Sequence, residues 1–279
     1  MASTWKINLS HRFAFYIDEN IDLRECKHYY TPKNMKVAFC LYGQPRLAQR
    51  GHDNIASFLR HQDVSVDFYM HLWHDPEKMH FDSSPWRALS EAELRIDKDT
   101  IPFLLEAYLP VACQIERPRK LHVTGIQESI MFQNSDHITR ANMNNSLSQI
   151  YSKQCVRDLL APRAHEYDWI IMSRYDFLNP IGVDMMELEK NKAHVPDFRL
   201  PQALFSDAFV ICSPSIFLPL FNAYADMVSI MDDQALHHKM GVYGERAVLV
   251  TENMLFASFV KHFSVENHVT YTPKIPDFH

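Results

Sequence analysis

Lys36-Val-Ala-Phe-Cys-Leu-Tyr42 is a continuous apolar run that stops at Gly43-Gln-Pro-Arg46. Such a run reads as a strand buried on both faces, and a strand buried on both faces needs helices above and below its sheet. A polar amphipathic stretch follows to about Arg60. A second run, Val66 to Trp73, then breaks at His74-Asp75-Pro76. Strand, helix and strand in that order predict a βαβ unit with a right-handed crossover, and hence a parallel sheet. The expected fold is α/β, with a mostly parallel, Rossmann-like central sheet flanked by helices in a single domain.

The remaining pattern extends this plan. Residues 1–35 are irregular and aromatic, ending in Tyr29-Tyr30-Thr31-Pro32, and read as an extension packed on a body spanning 36–279. Ile101, Leu104, Leu105 and Tyr108 share a helical face begun by Asp99-Thr100 and stopped by Pro110. Ala112 to Ile115 predicts a short strand, and Gly125 to Arg140 predicts a long loop over an active site. From Asn142, the residues Leu147, Ile150, Tyr151, Cys155 and Leu159 recur at helical spacing as far as Pro162. Tyr167 to Met172 and Phe209 to Cys212 are further buried strands. The second meets Ser213 as N-cap and Pro214 in the first turn of a helix with Phe217, Leu220, Phe221 and Tyr224 facing inward. Thr251 is placed to cap a last helix carrying Leu255, Phe256, Phe259, Val260 and Phe263.

Composition removes several functions. The chain has 279 residues, a formal charge of −6 and no basic stripe interleaved with aromatics, which argues against a nucleic-acid partner. Its five cysteines are scattered, with no C-x-x-C pair, so neither a zinc ribbon nor a redox motif is written. No apolar run spans a bilayer, and Met1 to Ser10 lacks the apolar centre of a signal peptide. A reducing, cytoplasmic setting is expected. Oligomeric state is not written in the sequence.

Ligands of open parallel sheets collect at the carboxyl ends of the strands. Three polar clusters fall there: Gly43 to Arg46, His71 to Asp75, and Ser173-Arg-Tyr-Asp176. Asp176 follows four large apolar residues, so its carboxylate is expected at the sheet edge, where it can hold a divalent cation bridging a diphosphate. Arg174 offers a bidentate fork to phosphate; the plainer reading is a local surface ion pair with Asp176. Gly43, Gln44 and Arg46 can border a nucleotide or simply make a strand-to-helix turn, and they match neither a Walker loop nor G-x-G-x-x-G. His71, His74 and Asp75 have zinc-ligand chemistry at loose spacing. Asp207, just before a strand, and Glu252, in a first helical turn, are candidate general bases. Asp207 is placed ahead because a helix dipole lowers a carboxylate's pKa and weakens it as a base.

These blocks, Lys36 to Arg46, Val66 to Trp73 and Tyr167 to Asp176, resemble small GT-A-type glycosyltransferases of bacterial surface-polysaccharide clusters and large DNA viruses. The likeness runs in order from about residue 36 to 265. It implies transfer of a sugar from a nucleotide-diphosphate donor, with UDP-sugars favoured, to a hydroxyl of a glycan or glycoprotein acceptor. In that group a D-x-D element binds Mn²⁺ or Mg²⁺ and the donor diphosphate. Arg174-Tyr175-Asp176 aligns with it, so Asp176 inherits the metal-ligand role and Arg174 does not. Gly43 to Arg46 would border the base and ribose, Ser206 to Phe209 the acceptor, and Thr251-Glu252-Asn253 the late acidic element near it. Two alternatives from other classes are a catalytically inactive glycosyltransferase-like binding or scaffold protein and a zinc-dependent hydrolase using His71, His74 and Asp75. Whether transfer inverts or retains the anomeric centre stays open.

Overall fold

The two apolar runs pair as parallel neighbours. The computed structural model describes residues 5–8, 35–82, 89–197, 205–240 and 248–272. Its strands are β1 (Trp5–Asn8), β2 (Met35–Gly43), β3 (Val64–Trp73), β4 (Ala112–Glu116), β5 (Trp169–Arg174), β6 (Ala193–Pro196), β7 (Phe209–Cys212) and β8 (Val269–Thr272). They form one eight-stranded sheet in the order β1-β4-β3-β2-β5-β7-β6-β8. β4, β3, β2 and β5 run parallel, β7 runs antiparallel to both β5 and β6, and β8 is parallel to β6. The α/β, mostly parallel, single-domain expectation is met.

Alternation along β2 divides the core. Val37, Phe39 and Leu41 face one cluster with Ile55 and Phe58 of the Ala48–Arg60 helix and Leu104 and Tyr108 of the Thr100–Tyr108 helix. Ala38, Cys40 and Tyr42 face the other, with Leu147 and Ile150 of the Met143–Leu160 helix, Phe217 of the Pro214–Leu220 helix and Phe259 of the Thr251–His262 helix. Fully burying a side chain such as Phe39 contributes roughly 2–3 kcal/mol. Among the described residues, no helix is long and apolar enough to cross a membrane.

Several expectations change. Trp5–Asn8 of the supposed irregular extension is an edge strand antiparallel to β4, while Tyr29 to Pro32 lie outside the described residues. The stretch from Gly125 to Arg140 is no open loop. It holds helices Ile130–Asn134 and His137–Ala141, capped by Ser129 and Asp136, whose side chains accept from Phe132 and Thr139 N–H. Ser213 bonds Ser215 instead of the helix backbone, and Thr251 is already helical, with Val250 in the capping position.

The Ala48–Arg60 helix fixes the turn after β5. A Cβ on Gly51 would overlap the Tyr175 carbonyl, and Asn54 Nδ2 donates to the Phe177 and Asn179 carbonyls at 3.1 and 2.9 Å. Gly→Ala inside a helix ordinarily gains up to about 1 kcal/mol. Here Gly51→Ala is expected to lose about 1–3 kcal/mol through overpacking against backbone, read from urea denaturation. A stabilised variant would show that the turn carrying Asp176 yields freely.

Candidate functional site

The direction in which strands are added reverses at β2: β3 and β4 build to one side, while β5 and β7 lie on the other. A crevice opens outside the carboxyl ends of adjacent parallel strands at such a switch point. The register places Tyr42 of β2 beside Arg174 of β5, so Gly43 to Arg46 and Arg174 to Asp176 leave the sheet side by side. Because β7 is antiparallel, its beginning and not its end lies at this edge: Ser173 pairs with Phe209, and Arg174 N–H donates to the Ala208 carbonyl. Asp207 therefore arrives at the same crevice.

Arg174 closes on Asp176 as a fork, Nε to Oδ1 at 2.8 Å and Nη2 to Oδ2 at 2.9 Å. Arg46 Nη2 approaches Oδ2 at 3.5 Å. The carboxylate is 1% exposed, whereas the Arg174 and Arg46 side chains keep 21% and 12%. Burial works against the Arg174 charge, but Asp176, Tyr42 and Asp207 together outweigh it and raise the guanidinium pKa further. The expectation that Asp176 emerges at the edge is thus corrected. Tyr175 goes into the core, where its phenol reaches the Leu41 and His71 carbonyls, and the turn folds Asp176 back beneath two arginines.

On the β2 side, Gly43 supplies a left-handed φ of 102°, which permits the sharp turn out of the strand. Leu47 follows at φ 51°, completing the turn into the Ala48–Arg60 helix. Gln44 Nε2 donates to Asp82 Oδ2 at 2.7 Å, and Arg46 Nη1 to the Asp82 carbonyl at 3.3 Å. Gln44 is therefore a brace for the turn.

The other half of the cluster contains a residue the sequence did not single out. Lys153, on the Met143–Leu160 helix, is 1% exposed; its Nζ lies 3.3 Å from Asp207 Oδ2 and 4.1 Å from the centre of the Tyr42 ring. Tyr42 in turn donates its phenol O–H to the Asp207 backbone carbonyl at 2.6 Å. Burial presses the Lys153 ammonium down to about 8, with Asp207 opposing. The available signal was its place three residues after Ile150 and three before Val156, on a buried helical face.

Glu252 occupies the first turn of the Thr251–His262 helix and is half-buried. Burial first, and then the Asp207 charge, push its carboxyl up to about 7; its own N–H, Lys153 and Arg174 pull the other way. The dipole argument from sequence gave the opposite direction, because it left out desolvation and a neighbouring carboxylate. The structure thus brings Arg46, Arg174, Asp176, Asp207 and Glu252 into one electrostatic cluster, and adds Tyr42 and Lys153.

Metal chemistry fits less well. Mn²⁺ or Mg²⁺ takes bare carboxylate oxygens at about 2.0–2.2 Å. Both Asp176 oxygens instead accept from guanidinium, and Asp207 meets an ammonium, so this donor set does not fit a divalent cation. His71, His74 and Asp75 do not assemble a site. His71 is sealed between Ser152 (2.6 Å) and Glu116 (3.4 Å), and Asp75 takes the Glu77 N–H. Among the described residues, the ligand types grouped with His71 are Glu116 and Cys155. Burial lowers the His71 pKa, and Glu116 opposes it. Ser152 is fully buried, so the Ser152–His71–Glu116 chain is internal bonding and not an exposed nucleophile. A separate cleft of about 540 Å³ between the Ile130–Asn134 and Gln234–Lys239 helices contains none of the charged cluster.

No protein-family model matches the chain, and no curated protein matches its sequence.

Proposed function

We propose that the chain is a glycosyltransferase of the GT-A type, transferring a sugar from a nucleotide-diphosphate donor to a hydroxyl of a glycan or glycoprotein acceptor. The observation that carries this reading is the gathering of Arg46, Arg174 and Lys153 with Asp176, Asp207 and Glu252 at the switch-point crevice. The order β4-β3-β2-β5 is the 3-2-1-4 core of doubly wound nucleotide-binding sheets, and it supports a nucleotide at this edge.

The chemistry follows from charge. As the bond from the anomeric carbon to the diphosphate oxygen breaks, the leaving group gains negative charge, and preorganised guanidinium N–H groups stabilise it where it develops. The acceptor oxygen forms the new bond and gives up its proton. Where transfer inverts the anomeric centre, Glu252 takes that proton. It is half-buried, and its carboxyl titrates near neutrality, close to the ideal for a base working at neutral pH. Asp207, engaged by Lys153, serves to anchor the acceptor side, which reverses the order suggested by sequence position.

A thermal-shift series with UDP-, GDP- and CMP-sugars tests the donor. At a hundredfold excess over Kd a ligand specific for the folded state adds about 2.7 kcal/mol. One nucleotide class is expected to raise Tm by several degrees, UDP-sugars first. No shift from any of the three would sink the reading. The closed Arg174–Asp176 fork favours one alternative, a glycosyltransferase-like binding protein without turnover. A Tm shift without donor hydrolysis or transfer would mark it.

A further inference from the structure

We propose that the diphosphate of the donor is neutralised here by the paired guanidiniums of Arg46 and Arg174 in place of a divalent cation, with Asp176 as the buried residue that orients them. The proposal rests on the donor-site reading above and says how that site takes its ligand.

The geometry is layered. Asp176 lies deepest, at 1% exposure, and both arginines reach over it from neighbouring strand ends, with more of their side chains exposed than its own. Both guanidiniums contact the same Oδ2 atom, so they sit side by side. The shared carboxylate holds the two guanidiniums together, and two cations outweigh its single charge. Two adjacent guanidiniums suit the two adjacent phosphates of a diphosphate, as charge-assisted donors to phosphate oxygens. A lysine in either place would give a point charge without the planar match.

The same arrangement opposes a cation. A divalent ion on Asp176 would have to displace guanidinium N–H groups from both oxygens and then sit against two positive charges. Asp207 already meets Lys153, and Glu252 lies in the fields of Lys153 and Arg174. The three-ligand group found among the described residues, His71, Glu116 and Cys155, includes none of these carboxylates.

The test is titration calorimetry of the full chain with UDP, or with whichever nucleoside diphosphate the donor screen selects. It is run after chelator dialysis and again with millimolar Mn²⁺ or Mg²⁺. Affinity is expected to agree between the two conditions within about threefold, well under the tenfold step that marks a real interaction. Inorganic pyrophosphate should compete for the site. Arg46→Met should weaken binding by about tenfold or more with the fold intact by circular dichroism. Binding that appears with the metal alone, or tightens more than about tenfold with it, overturns the proposal and leaves the transferase reading standing. Nucleotide binding that pyrophosphate does not contest also overturns it. If no nucleoside diphosphate binds in either condition, the transferase reading falls and this proposal falls with it.

Discussion

Arg174→Met is expected to destabilise the protein by about 3 kcal/mol and to remove measurable nucleoside diphosphate binding. Two effects combine in one side chain. Asp176 is 1% exposed, and its carboxylate is held by the Arg174 fork at 2.8 and 2.9 Å, with Arg46 farther off at 3.5 Å. Removing one partner of a buried pair leaves a charge with too little compensation, and that loss is larger than the net worth of the pair. The second variant separates the roles. Arg174→Met combined with Asp176→Asn removes both charges, so it should recover part of the lost stability while binding stays lost. Urea denaturation and nucleotide titration read the two quantities independently. An Arg174→Met protein with wild-type urea midpoint and wild-type affinity would refute both the structural and the ligand-binding role.

This cluster also shows where the sequence was informative. Arg46, Arg174 and Asp176 were readable because each follows a long apolar strand, and a parallel sheet puts such endings on one edge. Their mutual arrangement was not readable. Whether a residue two positions past a strand points out or folds back depends on the turn, and this turn is set by Tyr175 in the core and by Gly51 and Asn54 on a helix more than a hundred residues earlier. Lys153 was hidden for a related reason. Its significance comes from Tyr42 and Asp207, which only the folded sheet brings beneath its helix. The strands β2, β3, β4, β5 and β7 were legible as apolar runs. β6 and β8 were not: Ala-His-Val-Pro and Val-Thr-Tyr-Thr are four residues each, too short and mixed to show a period. In the 125–140 stretch the caps Ser129 and Asp136 were available as signals, but a weak apolar pattern hid the short helices they start.

The pH dependence of turnover should expose Glu252 and Lys153 together. With the selected donor, kcat/KM is expected to rise as Glu252 loses its proton near pH 7 and to fall as Lys153 loses its own near pH 8, giving a narrow bell. Glu252→Gln should lower the rate by roughly two to four orders of magnitude, the usual range for a lost general base, and should abolish the acid limb. Lys153→Met should abolish the alkaline limb, whereas Asp207→Asn should lower the rate and keep the acid limb. Stability supplies a readout that needs no substrate. Burial raises the Glu252 carboxyl from 4.5 to about 7, so between those values the folded state holds a proton that the unfolded state has released. That contribution is complete below about pH 4.5 and is lost as pH rises through 7, on the order of 2 kcal/mol for a half-buried group. Lys153 acts in a different window: its pKa is lowered from 10.5 to about 8, so the unfolded state binds the extra proton there and stability rises with pH from about 8 to 10.5. In urea midpoints measured across pH, Glu252→Gln should flatten the acid-side slope and leave the alkaline one, and Lys153→Met should do the reverse. If Glu252→Gln keeps both the slope and the rate while Asp207→Asn loses the rate, the proton acceptor is Asp207, and Glu252 is a helix-end carboxylate without a catalytic role.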